Sequence, residues 1–243
     1  MKRNHFKRFA ALALSAVCGA ACLAGCGTQP TAETPLETIQ QPKTGSYEDW
    51  ELIQQTRQEN PVSESTFTAL DHFAYTTAAQ VLGEDANGSY SPLSLYYALA
   101  LAATGAAGET QTQMLDLLGI SDPAQLSDQC AKLYRLLIRD NEVGTLRLAN
   151  SLWMDQRVDW KQSFVTQAAQ DFYAEVYQVD FTTDEAPKAM AQWVAQQTGG
   201  LLTPTFQPTD QQVLSLLNTL YFTDEWYDRF QSKDTKSDTF TKA

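Results

Sequence analysis

The sequence predicts an α+β fold, with helices packed on one large β-sheet. Three observations carry that expectation. Apolar residues recur at helical spacing early in the body, at Phe67, Leu70, Phe73 and Ala74, and again at Leu126, Cys130, Leu133, Tyr134 and Leu137. The period then changes, and Leu146, Leu148, Leu152 and Met154 alternate as in a strand. Finally, residues 212–222 form a long apolar run. Helices come first and strands arrive later, interleaved with helices, which argues for helices stacked on a sheet.

The elements follow in order. The first helix extends through Ala78, Val81 and Leu82, and Gly83 is a plausible stop. Ser91 stands where an N-cap belongs, with Pro92 at the first helical position. The helix it opens, 92–104, is apolar on nearly every side, the signature of a helix buried all round, and Gly105 ends it. A second helix over 109–118 turns Met114, Leu117 and Leu118 inward and stops at Gly119. Ser121-Asp122-Pro123 opens a third. Residues 145–154 read as a strand, 160–173 as a helix and 175–181 as a strand. An amphipathic helix over 184–198 carries Met190, Trp193 and Val194 and is closed by Gly199-Gly200. The 212–222 run is expected to be a strand buried on both faces, and residues 230–243 a polar tail.

Before the body lies a different kind of chain. Lys2, Arg3, Lys7 and Arg8 precede an uncharged stretch, 9–25, too short to span a bilayer. This reads as a signal peptide, residues 1–25. Leu23-Ala24-Gly25-Cys26 resembles the bacterial lipoprotein signal, which implies cleavage before Cys26 and lipidation of its thiol. Such an anchor would hold the protein outside the cytoplasm, on the cell surface or envelope. Residues 27–46 hold Pro30, Pro35 and Pro42, with much Thr and Gln. We therefore expect residues 26–60 to be a lipidated cysteine followed by a disordered tether, with the domain proper over 61–243. Twenty flexible residues reach roughly 25 Å, enough to lift a domain off a membrane.

Charge and cysteine use narrow the function. The chain carries 17 basic and 29 acidic side chains. Without the four bases of the signal, 13 remain against 29 acids, a net charge of −16. Such a surface repels phosphate backbones, so nucleic acid is not expected as a partner. Once Cys18 and Cys22 leave with the signal and Cys26 carries lipid, only Cys130 remains, and no disulfide framework forms. Catalytic chemistry fares no better. His72 is the one histidine past the signal, no G-x-S-x-G elbow is present, and one His with one Cys cannot close a zinc tetrahedron. Asp184-Glu185 and Asp224-Glu225 fall at element ends, where they are expected to be solvated. The chain is not expected to be an enzyme or to carry a cofactor or metal.

Several stretches, taken in order, resemble the serpin family. They are Ser91-Pro92-Leu93-Ser94, Gly105 through Thr110, Leu148-Ala149-Asn150-Ser151-Leu152-Trp153, Tyr173-Ala174-Glu175-Val176, and Trp193 through Gly200. Asn218-Thr219-Leu220-Tyr221-Phe222 follows, with Glu225-Trp226 and Phe230. Gly199 stands where the family usually has Asn, and Thr219 where it often has Ala. The resemblance implies a serpin-like arrangement, a large central sheet overlaid by helices, of which this chain carries an incomplete, N-terminal portion. It implies inhibition of a serine or cysteine protease by suicide insertion of a cleaved loop into that sheet. It further implies that Ser91, Ser94 and Asn218 form a polar cluster under the sheet, a latch called the shutter. Trp226 would lie at the top of the sheet, where insertion begins. The reactive loop itself lies C-terminal to the matching stretches. The alternative is a non-inhibitory, serpin-like surface lipoprotein acting as a binding module.

Overall fold

A computed structural model describes residues 34–83 and 88–239. The expected signal peptide, Cys26 and the first part of the expected tether lie outside the described residues.

Among the described residues, five helices precede the first long strand. Helix α1 spans Trp50–Glu59, α2 Glu64–Val81, α3 Pro92–Gly105, α4 Gly108–Leu118 and α5 Pro123–Leu137. Their starts follow from local chemistry. Ser63, Ser91 and Asp122 cap α2, α3 and α5 by accepting main-chain N–H bonds from Thr66, Ser94 and Ala124. Pro92 and Pro123 occupy first-turn positions, where a missing N–H costs nothing. Gly119 stops α4 in the left-handed region, at φ 71°, and a Cβ there would also sit 2.9 Å from that of Ala69.

Helix α3 is central, as its composition predicts: no residue from Ser91 to Thr104 is exposed. Tyr96 and Tyr97 are buried, and their hydroxyls donate to the carbonyls of Leu118 (3.1 Å) and Cys130 (2.8 Å). These bonds satisfy two otherwise costly hydroxyls and tie α4 and α5 to α3. Cys130 is buried at the centre of this packing, and burial pushes its thiol well above the ordinary range.

The sheet follows. Strand β1 (Arg139–Asp140) and β2 (Thr145–Asp155) form a hairpin, α6 (Gln162–Asp171) crosses to β3 (Ala174–Val179), and α7 (Glu185–Gln197) leads to β4 (Leu214–Thr223). Strand β2 is the spine. One of its edges pairs antiparallel with β4 along nearly its whole length. The other pairs antiparallel with β1 at Thr145 and Leu146, and parallel with β3 from Asn150 onward. A Ser232–Asp234 turn lies in the exposed tail.

Strand alternation sorts side chains to two faces. Leu148, Leu152 and Met154 of β2, with Ala174 and Val176 of β3, join the helical core of α2 to α6. Trp153, Tyr177 and Val179 point the opposite way and pack with Phe181, Ala186, Met190, Trp193 and Val194 under α7. At the end of β2, Arg157 forks onto the buried Asp155 carboxylate (Nε–Oδ1 2.8 Å) and holds it below the usual carboxylate range.

Four expectations need correction. Residues 34–60 are not a free tether. Asp49 caps α1, the Leu36 N–H donates to the Val176 carbonyl on β3 (2.7 Å), and Gln41 Oε1 accepts from the Tyr134 hydroxyl (2.9 Å). Their polar composition has no period of its own, and tertiary contacts supply the order. In α4, Leu115 and Leu118 face inward while Leu117 is 44% exposed, because the two buried positions are three apart on the helix. Phe67, expected on the inner face of α2, is 43% exposed; Thr66, Ala69 and Phe73 make that face instead. Finally, β4 is half-buried along most of its length rather than buried on both faces, and among the described residues only its β2 edge is paired.

Candidate functional site

The site begins from two asparagines in apolar strands. Asn150 on β2 and Asn218 on β4 are direct cross-strand partners, so their side chains leave the sheet on the same side. That side is the one covered by α3, since Leu148 and Leu152 flank Asn150, and Leu216 and Leu220 flank Asn218, in the same core. The Asn218 amide Nδ2 donates to Asn150 Oδ1 (2.6 Å), and the Asn150 Nδ2 donates to the Phe172 carbonyl at the end of α6 (2.8 Å). Asn150 is buried. The chain of bonds thus joins β4, β2 and the α6–β3 connection.

Asn218 Oδ1 and Thr219 Oγ1 are buried without a hydrogen-bond partner. Each such atom costs about 1–3 kcal/mol. Both sit on β4, whose outer edge is joined by no strand among the described residues. Beside it opens a cavity of about 510 Å³ between β4, the end of α7 and the 201–206 segment, lined by Val194, Leu202, Phe206, Leu217 and Thr219 among others. Gly199 and Gly200, at φ 60° and 82°, turn the chain out of α7 into that segment. The left-handed region favours Gly and tolerates Asn, so the backbone at position 199 suits either residue.

The residues expected to form a latch are distributed as follows. Ser91 spends its hydroxyl on the α3 cap, accepting from the Ser94 N–H at 3.3 Å. Neither serine makes a hydrogen bond to Asn218 among the described residues; Asn150 is the partner Asn218 finds. The serines and Asn218 nonetheless belong to elements packed on one another, since α3 lies under β4. Trp226 stands just beyond β4, 72% exposed, edge-to-face with Phe230 at 5.9 Å. Glu225 pairs with Arg229 and Asp224 with Arg139. His72 is exposed. No group of three or more His, Cys, Asp or Glu with metal-binding geometry occurs among the described residues, and no helix there is long and apolar enough to cross a membrane. Asn150 was missed as a site residue. Its signal was an amide in mid-strand, between leucines, opposite a second one.

On the opposite face, Glu175 on β3 gathers three donors. These are the Tyr177 hydroxyl, Trp193 Nε1 (3.0 Å) and Gln197 Nε2 (3.4 Å). Burial first, then the bond to Glu175, raises the Tyr177 hydroxyl above the ordinary range. Two of the donors lie on α7, so the half-buried carboxylate pins that helix to the sheet.

Comparison with known proteins agrees with this architecture. The sequence profile of the Serpin family, described as serine protease inhibitor, matches residues 68–243. A putative serpin-Z6A of Oryza sativa subsp. japonica is 33% identical over 158 residues, covering 62% of this chain and 40% of the relative. An uncharacterized serpin-like protein of Thermococcus kodakarensis is 26% identical over 218 residues, covering 87% of this chain and 49% of the relative. The chain therefore spans less than half the length of these curated relatives. Among solved structures, the thermophilic serpin tengpin in its latent state superposes with a TM-score of 0.67 at 23% identity, over 71% of this chain and 47% of that one. A thyroxine-binding globulin bound to thyroxine gives 0.61 at 21%, over 72% and 49%. With a profile matched over well more than half its length, and helices and a mixed sheet in the same arrangement, the chain belongs to the serpin family.

Proposed function

We propose that the whole protein, to which this chain contributes part of the serpin domain, inhibits serine or cysteine proteases by inserting a cleaved loop beside β4. The carrying observation is the outer edge of that strand. Ten residues of main chain lie there without a neighbouring strand among those described. They run over half-buried Leu214, Leu216, Leu217 and Leu220 and two unpartnered polar atoms. An added strand pairs the main chain and covers the leucines, each worth about 1.5–3 kcal/mol on full burial. The uninserted state is then metastable and held by a barrier. The protease nucleophile bonds to the carbonyl carbon of the bait residue as the peptide C–N bond breaks. Insertion ahead of deacylation then carries the protease along. Ser91 and Ser94, with Asn218 and its partner Asn150, form the latch that this movement rearranges, and Trp226 marks the end at which it starts.

Mixing the whole protein with trypsin or subtilisin tests this reading. A complex stable in SDS is expected. Cleavage without a complex would contradict it and favour a non-inhibitory binding module; thyroxine-binding globulin, in complex with thyroxine, shows this fold holding a small molecule. We propose also that Cys26 carries a lipid that holds the protein on the outer side of a bacterial membrane. The basic start and the Leu-Ala-Gly-Cys box support this. Radiolabelled palmitate should enter the protein and be lost in Cys26→Ser; retained label would argue against the anchor.

A further inference from the structure

We propose that the cavity between β4, the end of α7 and the 201–206 segment binds a small, neutral, apolar molecule carrying one hydrogen-bonding group. At about 510 Å³ it falls within the range of small-molecule sites. Val194 of α7, Leu202, Pro204 and Phe206 of the segment, and Leu217 of β4 supply apolar walls. Charge is missing from them: in a chain with 29 acids and 17 bases, no residue lining this space is ionisable. A charged ligand would leave water for a wall without a counter-ion, at a high cost. A neutral one gives up little and gains the burial of its carbon surface.

One polar atom orients what binds there. Strand alternation turns Asn218 and Leu220 toward α3, and Leu217 and Thr219 toward α7. Thr219 is 7% exposed, and its Oγ1 is buried without a partner. An alanine would pack at this position without stranding a hydroxyl. The neighbouring threonine shows the ordinary outcome: Thr198 Oγ1 donates to the Val194 carbonyl (2.8 Å) and accepts from the Leu202 N–H (3.2 Å). Thr219 Oγ1 has no such exchange, and it can donate to or accept from a group that a ligand brings in. Beyond Leu202, the Thr203 and Phe206 N–H groups donate to nothing among the described residues, which adds donors at the opposite wall. Leu201 and Leu202 are exposed beside the cavity, apolar surface that a ligand would cover in part. A strand inserted by the proposed mechanism would pair with the main-chain edge of β4. The ligand lies over the face that carries Thr219, so its binding does not depend on inhibition.

The test is fluorescence titration of the whole protein with N-phenyl-1-naphthylamine, a neutral aromatic amine that brightens in apolar surroundings, repeated on Thr219→Val and on Leu202→Ser. Valine keeps the shape of threonine and removes the hydroxyl. Leu202 is exposed and outside the packed core, so its substitution keeps the fold while removing apolar wall. Saturable binding at one site is expected, weakened about fivefold in each variant. 1-Anilinonaphthalene-8-sulfonate, a close relative of the amine with an anionic group added, should bind about tenfold more weakly. Should Thr219→Val fail to fold, Leu202→Ser decides. No saturable binding, unchanged affinity in a folded variant, or a sulfonate held as tightly as the amine overturns the site.

Discussion

Asn150 shows how one side chain can bind three parts of the molecule. Its amide donates to the Phe172 carbonyl and accepts from Asn218 while buried between leucines. Truncation strands two polar groups at once, so Asn150→Ala should lower unfolding free energy by about 1–3 kcal/mol in denaturant titration. A loss within error would mean water replaces the amide. Ser91→Ala removes a helix cap worth about 1 kcal/mol. On the proposed latch role, the same substitution should also hasten self-association of the whole protein on mild heating; a variant with unchanged heat stability and unchanged inhibition would leave Ser91 without that role. The cap was legible from Ser-Pro at the head of an apolar run. The Asn150–Asn218 pair was not, because it depends on the register between strands far apart in sequence.

At the scale of elements, α7 is held to the sheet in part through one carboxylate. Glu175 receives donors from Trp193 and Gln197 of α7. Glu175→Ala should therefore raise amide hydrogen exchange across 185–197 while leaving α3 and α5 unchanged. Uniform change throughout the body would argue that Glu175 supports the fold as a whole. Helices α3 and α5, and strands β2 and β3, were legible because their apolar periods match what they bury. Helix α1 was not: WELIQQTRQE places Leu52 and Ile53 side by side without a stripe, and its order comes from Asp49 at its cap and from packing on α5. The 212–222 run identified a strand, but its leucines await a neighbour that the described residues do not contain, so composition overstated its burial.

For the molecule as a whole, the proposed inhibition requires that the sheet gain stability by accepting a further strand beside β4. The segment 34–60, with α1, lies along the far side of β2, on β3, α5 and the β1–β2 hairpin, and leaves that edge open. Half-covered leucines and the unpartnered Asn218 Oδ1 and Thr219 Oγ1 mark where the gain would come from. The thermal midpoint of the whole protein before and after proteolytic cleavage of its reactive loop tests this most directly. The proposed insertion would pair β4 and bury its side chains, so the cleaved protein should unfold at a clearly higher temperature. A midpoint that stays the same or falls would contradict it.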